Sequence, residues 1–410
     1  MSLIRNVGTI GGLTAVSRVF GFARDMLFAR LFGAGLAADA FQLAFTLPNT
    51  FRRLFAEGAF SVAFVPMYSK KLHDAGGEEE AARFANDVLS VFVWVLFGFS
   101  ILCILGMEGI VWLLAREYQS VPGKFELSVE LSRITFPYLG LISVVALLSG
   151  MLNTRSRFAP GAIAPILLNL CLIGAMVGGA YAGYDDLTKA LSQSWAVAGA
   201  GALQLAFLWW SVRRAGIRMR LHWPKMTPDT KVLLWRIFPA TFGAGIYQLS
   251  QLVDTFFATS LEQGSLTLLK MADRLNQMPL GIVGIALGTA ILPTLSRHIA
   301  GGDQSGAAKL QGRAVELATL LTIPAAMALA VCAPAFVNAF FVGGKFTAQD
   351  GAIMTEIVVA LVCGLPSYVL VKVLEPGYFS RGDTRTPVIT AASALAFNIF
   401  LNLVVVRPYG

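Results

Sequence analysis

Five arginines stand where arginine is costly. Arg18 and Arg24 interrupt the first long apolar run of the chain, Arg52 and Arg53 the second, and Arg274 a later run that opens near residue 266. A helix needs roughly 20 apolar residues to cross a hydrocarbon layer about 30 Å thick, and each of these runs is that long or longer. An arginine at mid-membrane costs about 2.5–3.5 kcal/mol, so five facing lipid would cost on the order of 15 kcal/mol. They must face water or partners. Acidic residues lie close in sequence. Arg18 and Asp25 are seven apart and share a helix face, Arg53 and Glu57 stand at i, i+4, and Asp273 precedes Arg274. Arg52 points about 100° away from Arg53 and has no such neighbour, and Asp39 is a further acid in the second run. Two chemistries fit: salt bridges that lock helices together, or a site for an anion. The first two runs carry four arginines beside Asp25, Asp39 and Glu57, while runs three to six are almost uncharged, and this bias favours the second. A guanidinium group keeps its proton and grips phosphate with two parallel N–H groups, so the cluster predicts a site for an anionic, phosphorylated head group.

Other chemistries find little support. His73, His222 and His298 fall in segments between the apolar runs, so no histidine-based catalytic set is expected. Gly343-Gly344-Lys345-Phe346 lacks the phosphate-loop spacing, and Gly33-Ala34-Gly35 joins two membrane runs rather than following a strand. Cys103, Cys171, Cys332 and Cys363 stand singly, without the spacing of a metal or disulfide framework, and read as small core residues. Asp254 in the seventh run, and Asn398 and Asn402 at i, i+4 in the eleventh, fit either an oxygen-rich cation site or polar bridges between helices. No cofactor is implied. The net charge of +8 is explained by its distribution over loops rather than by a nucleic-acid partner.

The elements that must position these residues are helices. Apolar residues make up 56% of the 410 positions and charged residues 14%, against about 25% in a soluble domain. Helices satisfy their own backbone groups, which lipid cannot do for an open sheet edge. Spans are expected near 8–32, 38–69, 87–115, 127–153, 158–183, 190–212, 230–260, 266–297, 312–341, 351–379 and 386–406, and the run behind Arg5 reads as a retained first helix rather than a cleaved signal. One alternate set of connections holds 18 Lys and Arg and the other only 5, namely Arg30, Arg116, Lys124, Lys189 and Lys345. The positive-inside rule then puts the N-terminus in the cytoplasm. A repeat is also present. Pro137, Arg155 and Pro160 recur as Pro366, Arg381 and Pro387, and Val65-Pro66 as Leu292-Pro293, at offsets near 227 residues. Six helices per copy give two lobes of parallel orientation, 1–228 and 229–410, around a central hydrated cationic cavity. The repeat predicts that the second lobe, with five of its six helices, is incomplete at Gly410.

Several motifs add a family resemblance. Ser17-Arg18-Val19-Phe20-Gly21-Phe22-Ala23-Arg24-Asp25, Phe32-Gly33-Ala34-Gly35, Asp39-Ala40-Phe41, Leu47-Pro48-Asn49 and Arg52-Arg53-Leu54-Phe55-Ala56-Glu57-Gly58 resemble the MurJ/MviN lipid II flippases. So do Ala272-Asp273-Arg274-Leu275, Gly284-Ile285-Ala286-Leu287-Gly288, Gly344-Lys345-Phe346-Thr347 and Lys372-Val373-Leu374-Glu375-Pro376-Gly377. The resemblance implies the fold of the multidrug/oligosaccharidyl-lipid/polysaccharide exporter superfamily, with fourteen helices in a complete member, three of them missing here, and hence an inactive short chain. It implies that Arg18, Arg24, Arg52 and Arg274 match essential cavity arginines and Asp39 an essential acid, while Gln277 replaces a glutamate of some relatives. It also implies a bacterial cytoplasmic membrane and alternating access carrying lipid II across, with its undecaprenyl tail left in lipid. Sodium or the membrane potential would supply the drive, and membrane lipids and the cell-wall synthesis machinery would be partners. A cation-coupled drug or polysaccharide exporter of the same fold, and a membrane enzyme or scaffold, are the alternatives.

Overall fold

The computed structural model describes residues 3–53, 59–74, 77–217 and 219–409. Fifteen α-helices and no strand occur among them, the one β-bridge being the isolated pair Gly343 and Phe346. In chain order these are α1 (Leu3–Phe32), α2 (Leu36–Arg52), α3 (Ala59–His73), α4 (Gly77–Leu105), α5 (Met107–Leu114), α6 (Lys124–Thr135), α7 (Tyr138–Thr154), α8 (Ala159–Tyr181) and α9 (Asp186–Arg214). Then follow α10 (Pro228–Thr259), α11 (Ser265–Pro279), α12 (Ala286–Ala300), α13 (Gln304–Phe340), α14 (Ala348–Phe379) and α15 (Arg385–Tyr409). Seven helical stretches are long and apolar enough to span a membrane on those criteria alone. The protein is a multi-pass membrane protein.

All eleven expected spans correspond to helix, but not always to one helix. The third expected span, 87–115, is α4, which starts ten residues earlier at Gly77, followed by a break at Gly106 and the short α5. The fourth is divided by Pro137 into α6 and α7, since proline cannot supply the N–H of a continuous helix. The eighth passes through a π-helical turn, Leu280–Ile285, directly after Pro279. The middle of the second lies outside the described residues, and Glu57 with it.

By contact the chain forms two compact units, Met1–Phe28 with Leu36–Glu262, and Ala29–Gly35 with Gln263–Gly410. The packing boundary therefore falls after α10, whereas the sequence repeat counts from 229. A repeat reflects helix order and a contact unit reflects packing, and α10 packs on α3 and α5 in the first unit.

In the first unit α7 is central. Tyr138, Leu139, Leu147, Leu148, Met151 and Leu152 are sealed in it, and it touches α2, α3, α4, α8 and α9. Gly201 on α9 lets Tyr138 come close, because a Cβ there would stand 2.8 Å from the ring. The ends of α3, α4 and α10 are tied by Lys71, whose ammonium bridges Glu80 at 2.7 Å and Asp229 at 2.8 Å. Those two carboxylates raise the Lys71 pKa above its ordinary value.

In the second unit α13 and α14 form the main pair, with α11 and α12 packed on α14. Pro376 leaves the carbonyl of Lys372 without its helical donor, and Gly288 of α12 lies against that oxygen where a Cβ would collide. The turn after α1 packs here too. Lys345 N–H donates to the Arg30 carbonyl at 2.8 Å, Arg30 Nη2 donates to the Ala339 carbonyl at 3.1 Å, and Gly33 and Gly344 adopt left-handed φ values of 68° and 60°. The cysteines are free. Only Cys103 is buried, and Cys332 and Cys363 lie exposed on α13 and α14, so the core reading fails for those two.

Candidate functional site

Arg24 makes three side-chain hydrogen bonds. It lies eight residues before the end of α1, about 12 Å along the axis. Nε and Nη2 donate to Asp25 Oδ1 at 3.1 and 2.7 Å, and Nη1 donates to Asn169 Oδ1 at 3.0 Å. Asn169 is buried on α8 and donates in turn to the Ser17 carbonyl at 3.3 Å, so it spans two turns of α1. Gly21 opens the approach, its missing Cβ lying 3.6 Å from the Asn169 amide. A guanidinium has five N–H groups, and three are used here. The remaining two, one on each Nη, have no partner among the described residues, and two such donors suit a pair of phosphate oxygens.

Asp25 thus belongs to Arg24 in the structure, although its spacing suggested a shared face with Arg18. Arg18 is exposed and has no hydrogen-bond or ion-pair partner among the described residues. A permanent charge at that depth turns to water or to anions rather than to hydrocarbon. Arg52 closes α2 half-buried, with Nε donating to Asn49 Oδ1 at 3.4 Å. Arg53 is half-buried beside it, and its expected partner Glu57 falls outside the described residues.

Asp39 sits elsewhere. Its carboxylate is sealed in the first turn of α2 against Lys124 Nζ at 2.9 Å, with side-chain exposures of 2% and 3%. Lys124 is therefore not a loop cation, as the charge count had it, but the buried first residue of α6. Its ammonium also lies 4.0 Å from the centre of the Tyr118 ring. Burial and the Asp39 charge push the Tyr118 phenol far above its ordinary pKa.

In the second unit, Arg274 is exposed on α11 and Asp273 is half-buried, accepting a short hydrogen bond from Gln277 one turn on. Asn276 beside them is buried, and its side-chain oxygen has no hydrogen-bond partner among the described residues. Asp254 is half-buried on α10 in the first unit. Asn398 and Asn402 lie on α15 in the second, where the Asn402 amide donates to both oxygens of Asn398 at 3.0 Å. No cluster of three or more His, Cys, Asp or Glu suited to a metal occurs among the described residues.

Sequence reasoning missed Asn169 and Lys124. Asn169 carried one signal, a lone amide in an otherwise apolar run, and intramembrane polar groups mark partners or sites. Lys124 carried none, because it stands just before the fourth expected span and so counted as a loop cation.

The sequence profile described as "Lipid II flippase MurJ" matches residues 28–410. A protein of Rhizobium meliloti named "Probable lipid II flippase MurJ" is 43% identical over 404 residues, covering 98% of this chain and 75% of its own length. The "Lipid II flippase MurJ" of Burkholderia cenocepacia is 34% identical over 420 residues, covering 100% and 80%. Among solved structures, "Lipid II flippase MurJ, inward closed conformation" superposes with a TM-score of 0.82 at 25% identity, over 98% of this chain and 82% of that one. An inward-facing MATE family multidrug transporter of the MOP superfamily follows at TM-score 0.71 and 14% identity, covering 95% and 84%, a likeness of fold alone. From its arginine motifs to its helix order, the chain belongs to the MurJ family of lipid II flippases.

Proposed function

We propose that the protein moves lipid II from the inner to the outer leaflet of a bacterial cytoplasmic membrane, with its N-terminus in the cytoplasm. The observation that carries the reading is Arg24, fixed by Asp25 and Asn169 with two N–H groups unused among the described residues, in a chain of a family whose members are named for lipid II. Arg18, Arg24 and Arg52 in the first unit receive the pyrophosphate, Arg274 in the second is a further candidate anion-binding residue, and the polyprenyl tail stays in lipid. Alternating access of the substrate site does the rest, with no bond made or broken and no enzymatic step. Sodium at Asp254 or the membrane potential is the proposed drive, and enzymes that polymerise the released precursor are the proposed partners.

The test is depletion of the protein in its source bacterium with an assay for lipid II exposed on the outer leaflet. Exposure should fall, and complementation with Arg24→Ala should not restore it. Unchanged exposure on depletion, in cells without a redundant flippase, overturns the reading.

A further inference from the structure

The Asp39–Lys124 pair lies apart from the arginines, and its placement breaks two local preferences. A helix N-terminus carries partial positive charge and favours acids, yet Lys124 is the first residue of α6, behind Gly123 at a left-handed φ of 78° with no side-chain cap. A buried ion pair also costs desolvation that its own attraction seldom recovers. Asp39, in the first turn of α2, sits where the helix dipole favours it. The cation alone is misplaced, and the pair is fully sealed at 2.9 Å.

Further along the same seam a second contact appears. Pro48 interrupts α2 and leaves the carbonyl of Ala44 without its helical donor. The Thr135 hydroxyl of α6, fully buried, donates to that oxygen at 2.9 Å. One helix thus holds α2 twice, by its outer end through Asp39 and at its proline through Ala44. Four residues beyond Pro48, one helical turn, α2 ends in Arg52. Rotation and height of α2 against α6 set the direction of that last turn.

We propose that Lys124 is a positioning residue for transport: through its ion pair with Asp39 it fixes the register of α2 on α6 and so aims Arg52 at the lipid head group. Asp39 then acts through Lys124 and does not touch substrate. The inference rests on the arginine site proposed above for the identity of what is aimed.

The test compares full-length protein in cells and in lipid nanodiscs. Lys124→Met and Asp39→Leu singly leave a charge buried without its partner, and each should lower transport at least tenfold. The pair Asp39→Leu with Lys124→Met replaces both charges by apolar groups, which a purely positional role tolerates. It should restore lipid II affinity and transport to within about threefold of wild type. Reversing the pair, Asp39→Lys with Lys124→Asp, should restore partial transport as well. Two results overturn the proposal: a double apolar variant that melts like wild type yet stays inactive, or Lys124→Met alone keeping full transport at wild-type affinity. Arg52→Ala is run in parallel. If it transports normally, the proposal that the pair aims Arg52 fails together with the role given to that arginine, whereas inactive Arg52→Ala beside fully active Lys124→Met overturns the positioning role alone.

Discussion

Replacing Asn169 by aspartate isolates the electrostatic role of Arg24. The native amide oxygen accepts from Arg24 Nη1 at 3.0 Å without adding charge, so the guanidinium keeps most of its positive field for a ligand. In Asn169→Asp the side chain keeps its size but loses the donor to the Ser17 carbonyl, as Asn169→Ala also does, and Arg24 faces two carboxylates, Asp25 at 2.7 Å and the new one. A phosphate on the free edge of the guanidinium would stand about 7 Å from that carboxylate, and at an effective dielectric near 20 the added repulsion is about 2.4 kcal/mol, roughly fiftyfold in affinity. Asn169→Ala removes one charge-assisted hydrogen bond, worth about 1.5–3 kcal/mol to the order of the site, but adds no charge. The two variants therefore separate charge from order. Lipid II affinity measured in nanodiscs, with melting temperature as the control for folding, should fall further in Asn169→Asp than in Asn169→Ala, while the aspartate variant melts no lower. Wild-type affinity in a folded Asn169→Asp variant would refute the idea that Arg24 binds the head group.

Three more outcomes follow from the packing. Gly344→Ala should destabilise the second unit by about 1–3 kcal/mol from left-handed strain alone, with more from collision with the Arg30 carbonyl, and should show as a lowered melting temperature. Gly288→Val should abolish the close approach of α12 to the Lys372 carbonyl, where Gly284→Ala, with its nearest atom at 3.3 Å on a Leu280 side chain, should cost far less; comparing melting temperatures of the two decides it. Asp303 caps α13 by accepting from Gly306 N–H at 2.8 Å, and that bond together with His298 lowers its pKa below 3.8. A lowered carboxylate pKa contributes stability that is present above 3.8 and lost as pH falls through the folded value. Hydrogen exchange in the first turn of α13, corrected for intrinsic rate, should therefore stay flat from neutral pH down to about 4 and rise only below it. A rise already between pH 5 and 7 would show that the ionised Asp303 cap does not hold that turn.

Most of the helix plan could be read in advance because lipid imposes it. A run of apolar residues of spanning length has few other fates, and the alternation of Lys and Arg between connections kept the count in register. What was hidden was the interior of each run. Pro137 and Gly106 divide spans that hydropathy joins, because a window average does not register a missing N–H. The π-helical turn after Pro279 was hidden for the same reason. Partner choice was harder still. Spacing on one helix suggested Arg18 with Asp25, yet adjacent residues can meet when a long guanidinium folds back, and Arg24 takes Asp25 with help from Asn169, 145 residues away. No periodicity along one helix carries that distance.

The same limit applies to Asp39, and it separates two meanings of an intramembrane charge. An ionisable residue at membrane depth is a functional-site candidate because desolvation is costly. Desolvation is costly in a sealed ion pair too, so the rule finds both kinds without distinguishing them. Exposure and unused donors do distinguish them. Asp39 and Lys124 are sealed, and their short ion pair accounts for both charges. Arg24 keeps two N–H groups uncommitted, and Arg18 is exposed without a partner among the described residues. A ligand can only be received by donors that the fold has left over, which is why the proposed head-group site is argued from Arg24 and Arg18 rather than from Asp39. The buried pair, with no exposed charge to offer, fits the proposed role of a frame that aims Arg52.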